Sequence, residues 1–422
     1  MTEPRGSTDS IPAFLPRLDE RTRKGERWKV IFLISTLLGV FFLATLLWSV
    51  VNDSFGYVIL VNETDPATLS RDGVPLENLD SRGLLAVLEE NLPGRRLRSL
   101  AEERPLEERS SEELLALIED EIINPEIMET YDLSESLFGK ARILRHLEED
   151  YPDGALVFRS WINRRFLTAA QSSVALHAGI RGAFLGTLMT ILITILTAFP
   201  VGIAGAIWLE EYAKDNRLNR FIRINIYNLA GVPSIIYGML GLALFVRAAE
   251  PLTSGTLFGA AADPTTANGR TVLSAGLTLA LLILPVIIIN AQEALRAVPG
   301  ILRQSSLAVG ATKWQTVWHH VLPASFDRIL TGTVLAVSRA IGETAPLVVV
   351  GASTFLSQDP TSIFSKFTTL PIQIYQWTAR PQEEFRRIAA AAILVLLILM
   401  LSLNAVAVLL RNRIRAKKRQ SR

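Results

Sequence analysis

The chain has 422 residues, 49% of them hydrophobic and 20% charged, with a formal net charge of +2. That balance excludes an ordinary soluble protein, points to a membrane protein with a polar portion, and leaves no global case for nucleic-acid binding. There is no cysteine, which excludes disulfides, thiolate metal sites and cysteine nucleophiles but fits either redox environment. The four histidines, His146, His177, His319 and His320, form no zinc-like pattern.

Residues 1–29 are polar and basic, and residues 30–51 form an uncharged run long enough to cross about 30 Å of hydrocarbon. The run is too long for a signal-peptide core and lacks a small-residue cleavage site, so it is expected to be an uncleaved first span. Further apolar runs predict spans at Ala183–Trp208, Ile224–Phe245 (interrupted by GVPS), Val272–Asn290, Ile329–Gly351 and Ile388–Leu410. Six spans place both termini on one side. Arg21, Arg23, Lys24, Arg27 and Lys29 before the first span, and the run RNRIRAKKRQSR that starts at Arg411 and includes the basic tail 412–422, assign that side to the cytoplasm. The loops Glu210–Arg223 and Gln292–Arg328 then also face inward.

Residues 52–180 break the apolar pattern. EERPLEERSSEELLALIEDEIINPE is charged and helical in tendency, with Ser110 or Ser111 placed to cap a helix and Glu113 nearby. The following GALVFRSWINRRFLTAAQSSVALHAGI is mixed and partly aromatic, suited to strands or to the membrane surface. A small α+β extracytoplasmic domain is expected here. Its carboxylates read as a solvated face rather than a paired-acid hydrolase. Residues 181–411 then form the membrane core.

Within that core, residues 293–323 read EALRAVPGILRQSSLAVGATKWQTVWHHVLP. Pro299 and Gly300 break a first helix away, and a short one follows. Gly310 suits a left-handed cap because it has no Cβ. Thr312 and Gln315 make a capping box, Trp314, Val317, Trp318 and Val321 fall at helical spacing, and Pro323 is expected to stop the second helix. Such an elbow either lies on the bilayer surface or docks into a groove of a soluble partner. The stretch resembles the coupling (EAA) loop of ABC importer permeases, with Gly310, Leu322 and Pro323 at the family spacing. Gln304-Ser305-Ser306 stand where Glu-Ala-Ala is expected, and His320 where Ile is expected. By that resemblance Gln304, Ala308, Gly310, Ala311, Thr312, Trp314, Leu322 and Pro323 contact a partner ATPase. The missing glutamate charge implies that one ion pair is weaker or replaced.

The fifth run, LAVSRAIGETAPLVVV, carries Arg339 and Glu343 four positions apart. A charge in mid-membrane costs about 2.5–3.5 kcal/mol on insertion scales, so it usually faces a bundle interior or an aqueous path. One reading is an ion pair that neutralises itself and only packs the bundle. The other is a substrate pathway. Small neighbours such as Ser338, Ala340, Gly342, Thr344 and Ala345 permit close approach, and Gly342 and Pro346 loosen the backbone ladder. An arginine fork suits an oxyanion. A carboxylate beside it suits an anion that still carries a proton, such as hydrogen phosphate, and repels fully deprotonated sulfate.

SRAIGETAPL, with NLAGVPSIIYGMLGLALF and the elbow, resembles the A-type permeases of the phosphate ABC importer from about Gly182 to Ala407. The resemblance implies an all-α, six-span type I ABC importer permease fold, with the α+β domain inserted between spans one and two. It implies a non-catalytic subunit of a bacterial inner membrane, with Arg339, Glu343, Ser338 and Thr344 on the phosphate pathway. It further implies a second, C-type permease, an ATPase dimer that binds ATP and Mg, and an extracytoplasmic phosphate-binding protein. No Gly-x4-Gly-Lys-Ser/Thr loop occurs in the chain, so no cofactor is expected in it. Two alternatives remain: a permease for sulfate or molybdate, and a membrane receptor or scaffold with residues 52–180 as its sensor. Arg296 suits either the cytoplasmic end of the pathway or an ordinary interface. The break at Gly231–Pro233 suits either packing or a gate.

Overall fold

The computed structural model describes residues 18–420 except 72, 104, 260–267, 353, 354 and 357. The first part of the basic N-terminus and the last two tail residues therefore lie outside the described residues. The chain divides into two units, Met1–Val51 and Asn52–Arg422.

The first unit is a single helix, α1, which starts at Leu18 and runs on to Ser54. Three of its hydroxyls are satisfied within the helix: Ser35, Thr36 and Thr45 donate to the carbonyls of Ile31, Phe32 and Phe41, which hides these polar groups along the apolar run.

The second unit opens with the insert. β1 (Phe55–Asn62) is followed by α2 (Ser81–Asn91), α3 (Gly94–Glu103) and α4 (Ser111–Ile118). Ser110 is the capping residue, and it forms a reciprocal box with Glu113. Then come β2 (Pro125–Thr130), α5 (Leu133–Phe138), α6 (Lys140–Asp150), β3 (Ala155–Ser160) and α7 (Arg164–Thr168). The strands form an antiparallel sheet in the order β2-β1-β3. Leu84, Leu88, Leu114 and Ile118 make a helical core of the insert. Val58, Trp161 and Phe166 pack with Trp377 and Ile388 of the membrane bundle, which seats the sheet on the end of the bundle. The expected α+β domain is present.

The bundle comprises α8 (Arg181–Ile207), α9 (Arg217–Ala230), α10 (Ser234–Gly241), the short α11 (Glu250–Thr253) and α12 (Val272–Arg296). It continues through α13 (Gly300–Ala308), α14 (Lys313–Thr316), α15 (Leu322–Gly342), α16 (Ala345–Val350), α17 (Leu370–Thr378) and α18 (Glu383–Gln420). Among the described residues five helices are long and apolar enough to cross a membrane, and a bent pair raises the number to six. α12 is the central post, packed against α8 and α15. Small residues allow the close approach: a Cβ on Gly276 would meet Ile193 at 2.6 Å, and one on Gly332 would meet Asn290 at 2.6 Å.

Two expected spans differ from the sequence reading. The third is bent by 106° between α9 and the helix of Ser234–Ala248. Gly231 and Val232 leave the helix, and Pro233, with ψ of 137°, enters the next one extended. The fifth ends as a helix at Gly342 and restarts at Ala345, with Glu343 extended at ψ of 117° between them.

Candidate functional site

The elbow forms as two short helices. α13 closes on Gly310, whose φ of 85° is the left-handed cap expected of it. Thr312 and Gln315 make both bonds of the capping box. The buried hydroxyls of Ser306 and Thr316 share a hydrogen bond of 2.9 Å across the bend, a brace that sequence spacing did not reveal. Val317 and Val321 are buried while Trp314 and Trp318 stack 5.4 Å apart on the exposed side. The apolar stripe is thus split between packing and an open face. Gln304, Ala308, Gly310 and Thr312 are exposed, and Ala311 is half-buried.

Pro323 does not stop the second helix. Lys313–Gly342 is one continuous helical span, with a π turn at Val317–Val321. The π turn widens the hydrogen-bond ladder just ahead of Pro323, where its missing N–H and bulky ring are tolerated. Leu322 and Pro323 are therefore the first turn of α15 and no loop.

Two arginine–carboxylate pairs tie this end of the molecule together, one clamping the elbow to the bundle and one bracing the bundle beneath it. Arg303 on α13 donates from Nη2 and Nε to Glu211 Oε1 at 2.7 and 3.1 Å, and also to the carbonyls of Val298 and Leu295, each at 2.8 Å. Arg296 at the end of α12 donates through Nη2 and Nε to Glu210 at 2.9 and 3.1 Å. Glu210 and Glu211 occupy a π turn, Trp208–Tyr212, that extends α8. Arg223 of α9 reaches the same Glu210 at 3.9 Å and donates to the Leu209 carbonyl. Fork-to-carboxylate geometry of this kind fixes orientation as well as distance. Arg296 thus holds elements together at the end of the bundle. Glu210 and Glu211 are the partners the sequence reading missed.

Arg339 lies in the last turn of α15 and Glu343 at its C-terminal cap. The Nε of Arg339 donates to Glu343 Oε1 at 3.3 Å. The two side chains are 50% and 19% exposed, respectively. Among the described residues that is the one hydrogen bond Arg339 makes, so both Nη groups remain for a further acceptor. Leu335, one turn earlier on the same face, is also exposed. Arg339 therefore projects from an open face and is not sealed into packing. Ser338 turns away from it and donates to Asn404 of α18 at 2.8 Å. Thr344 is half-buried at the break. The helix break at Glu343 is fixed from behind by α10 on α16: a Cβ on Gly238 would stand 2.6 Å from the Pro346 Cα.

Comparison with known proteins gives these features a context. A family model described as a binding-protein-dependent transport system inner membrane component matches residues 198–416. The probable ABC transporter permease protein YqgI of Bacillus subtilis is 31% identical over 227 residues, covering 51% of this chain and 71% of that protein. The phosphate transport system permease protein PstA of Xylella fastidiosa is 32% identical over 239 residues, covering 56% of this chain and 76% of that protein. A solved structure of the MetNI methionine ABC transporter aligns over 56% of this chain and 95% of its own, with 16% identity and a TM-score of 0.41.

A helical membrane bundle with a broken span, an arginine–carboxylate pair on an open face at a helix break and a helical elbow at one end defines a multi-pass membrane permease. The chain belongs to the family of binding-protein-dependent transport system inner membrane components. As a member it is a non-catalytic transport subunit, with the α+β domain as an addition outside the matched residues.

Proposed function

We propose that the chain is one permease half of an ATP-driven phosphate importer. The observation that carries this reading is the Arg339–Glu343 pair at the break of α15, with the arginine half exposed on an open face and its outer nitrogens unengaged among the described residues. The similarity to phosphate permeases supports the choice of anion. A guanidinium already oriented by one carboxylate offers two fixed donors to an oxyanion. The same carboxylate accepts the proton of hydrogen phosphate and repels sulfate.

In this reading both termini lie in the cytoplasm of a bacterial inner membrane. A second, C-type permease completes the pathway. An ATPase dimer, which binds ATP and Mg, docks on the exposed Trp314–Trp318 face and on Gln304. A secreted binding protein delivers phosphate on the other side. Closure of the ATPases moves the elbow, and α15 carries that motion to Arg339, alternating access to the two sides. Arg339→Ala should abolish labelled-phosphate uptake in cells that depend on this system while the complex still assembles. Intact uptake would favour a receptor or scaffold instead. Glu343→Gln should lower phosphate uptake and weaken discrimination against sulfate, and unchanged selectivity would remove the proton-reading role.

A further inference from the structure

The insert carries an apolar corner that packing does not use. Leu137 and Phe138, the last residues of α5, are 62% and 89% exposed. Isolated exposed hydrophobics are ordinary. A phenylalanine this bare beside a second bare side chain, at the foot of a domain next to a lipid boundary, is not.

Contacts within the second unit fix the height of this corner. Arg387 is the last charged residue before the apolar run of α18 begins at Ile388, so it marks where that helix leaves the hydrocarbon. Its guanidinium reaches Asp53 at 3.3 Å and the hydroxyl and carbonyl of Thr130 at 3.4 and 3.5 Å. Asn52, beside Asp53, accepts from the backbone N–H of Ser134 at 2.8 Å. α5 therefore starts at the membrane boundary. Its six residues span about 9 Å at 1.5 Å per residue. The headgroup layer adds roughly 5–7 Å on each side of the hydrocarbon, so the end of α5 stays in or beside that layer.

Charge points to the same partner. Lys140, Arg142 and Arg145 follow the corner directly and are exposed, whereas Glu148, Glu149 and Asp150 gather at the far end of α6. Two of the three are partly answered, since Arg142 pairs with Glu135 at 3.3 Å and the Lys140 ammonium lies 5.7 Å from the centre of the Tyr57 ring. Apolar side chains flanked by Lys and Arg are the chemistry of a headgroup boundary. A corner of two apolar residues is too small for a stable protein interface, which needs some 20–30 residues a side.

We infer that the Leu137–Phe138 corner anchors the insert to the lipid surface. Its apolar side chains enter the headgroup layer on the insert's side, and Lys140, Arg142 and Arg145 meet lipid phosphates. The anchor holds the insert against the bilayer as well as against the bundle.

The absence of cysteine in the chain makes the test direct. Phe138→Cys, in the full-length chain purified as the complex it forms, carries a single nitroxide label. Glu149→Cys at the far end of α6 serves as the aqueous control, and neither position is part of a core. The proteins are reconstituted in vesicles of phosphatidylethanolamine and phosphatidylglycerol. Collision with oxygen, which enters lipid, is compared with collision with a water-soluble nickel chelate. An oxygen-to-nickel ratio at 138 several-fold above that at 149 is expected. Equal ratios would show the corner in open water and overturn the anchor. Exclusion of both colliders from 138 would show it covered by protein and overturn it equally.

Discussion

Removing the Arg303 clamp should release the elbow without unfolding the bundle. Arg303→Ala takes away the cation held by Glu211 and one donor each from the Leu295 and Val298 carbonyls, of which Leu295 keeps the backbone N–H of Val298 at 3.1 Å. Removing one partner from a buried ion pair costs about 3–5 kcal/mol. Here the two side chains are 23% and 12% exposed, so water enters and repays part of that cost. About 2–3 kcal/mol of local stability should be lost, or roughly 30- to 150-fold in the opening equilibrium at about 1.4 kcal/mol per tenfold. Hydrogen exchange of amides 300–311 measures this directly. They should exchange faster by that factor while α12 amides inside the membrane do not change. Arg303→Lys should recover part of the effect, because it restores the charge but not the fork. Unchanged exchange across 300–308 in the alanine variant would refute the clamp.

Further outcomes follow from other contacts. Gly238→Ala places a methyl against the Pro346 backbone, where a Cβ stands 2.6 Å from Cα and 2.9 Å from the carbonyl oxygen. Backbone yields little, so a cost of about 1–3 kcal/mol and a lower melting temperature in detergent are expected. In the insert, the hydrogen bond that His146 donates to Glu129 is the main cause that raises the His146 pKa above 6.5, while Glu129 is lowered below 4.5, chiefly by the bond it accepts from Tyr131. The histidine contribution is full below its ordinary value and is lost as pH rises through the raised one. The glutamate contribution is present above its ordinary value and is lost as pH falls through the lowered one. Protection of amides 127–131, taken relative to their intrinsic exchange rate at each pH, should therefore be greatest between about pH 4.5 and 6.5, and His146→Gln should flatten the alkaline side of that profile.

The features legible in the sequence were the local ones. Gly310, Thr312 and Gln315 specify a left-handed cap and a box within a few residues, and both formed where the spacing put them. Gly342 and Pro346 marked the loosened ladder that became the break at Glu343. Long-range pairing left no such trace. Glu211 and Arg303 are 92 positions apart, and nothing in the local pattern of either names the other. The π turn at Val317–Val321 was equally hidden, because a widened ladder depends on packing rather than on a residue type. That is why Pro323 read as a stop.

The absence of a stop at Pro323 makes one rod of the elbow's second helix and the stalk that bears Arg339. From Leu322 to Arg339 the rise is about 26 Å. A tilt of some 10° pivoting at the π turn would swing the guanidinium sideways by about 4–5 Å, more than a hydrogen-bond length. A nudge at one surface of the membrane thus reaches the half-exposed guanidinium as geometry, carried along one continuous helix.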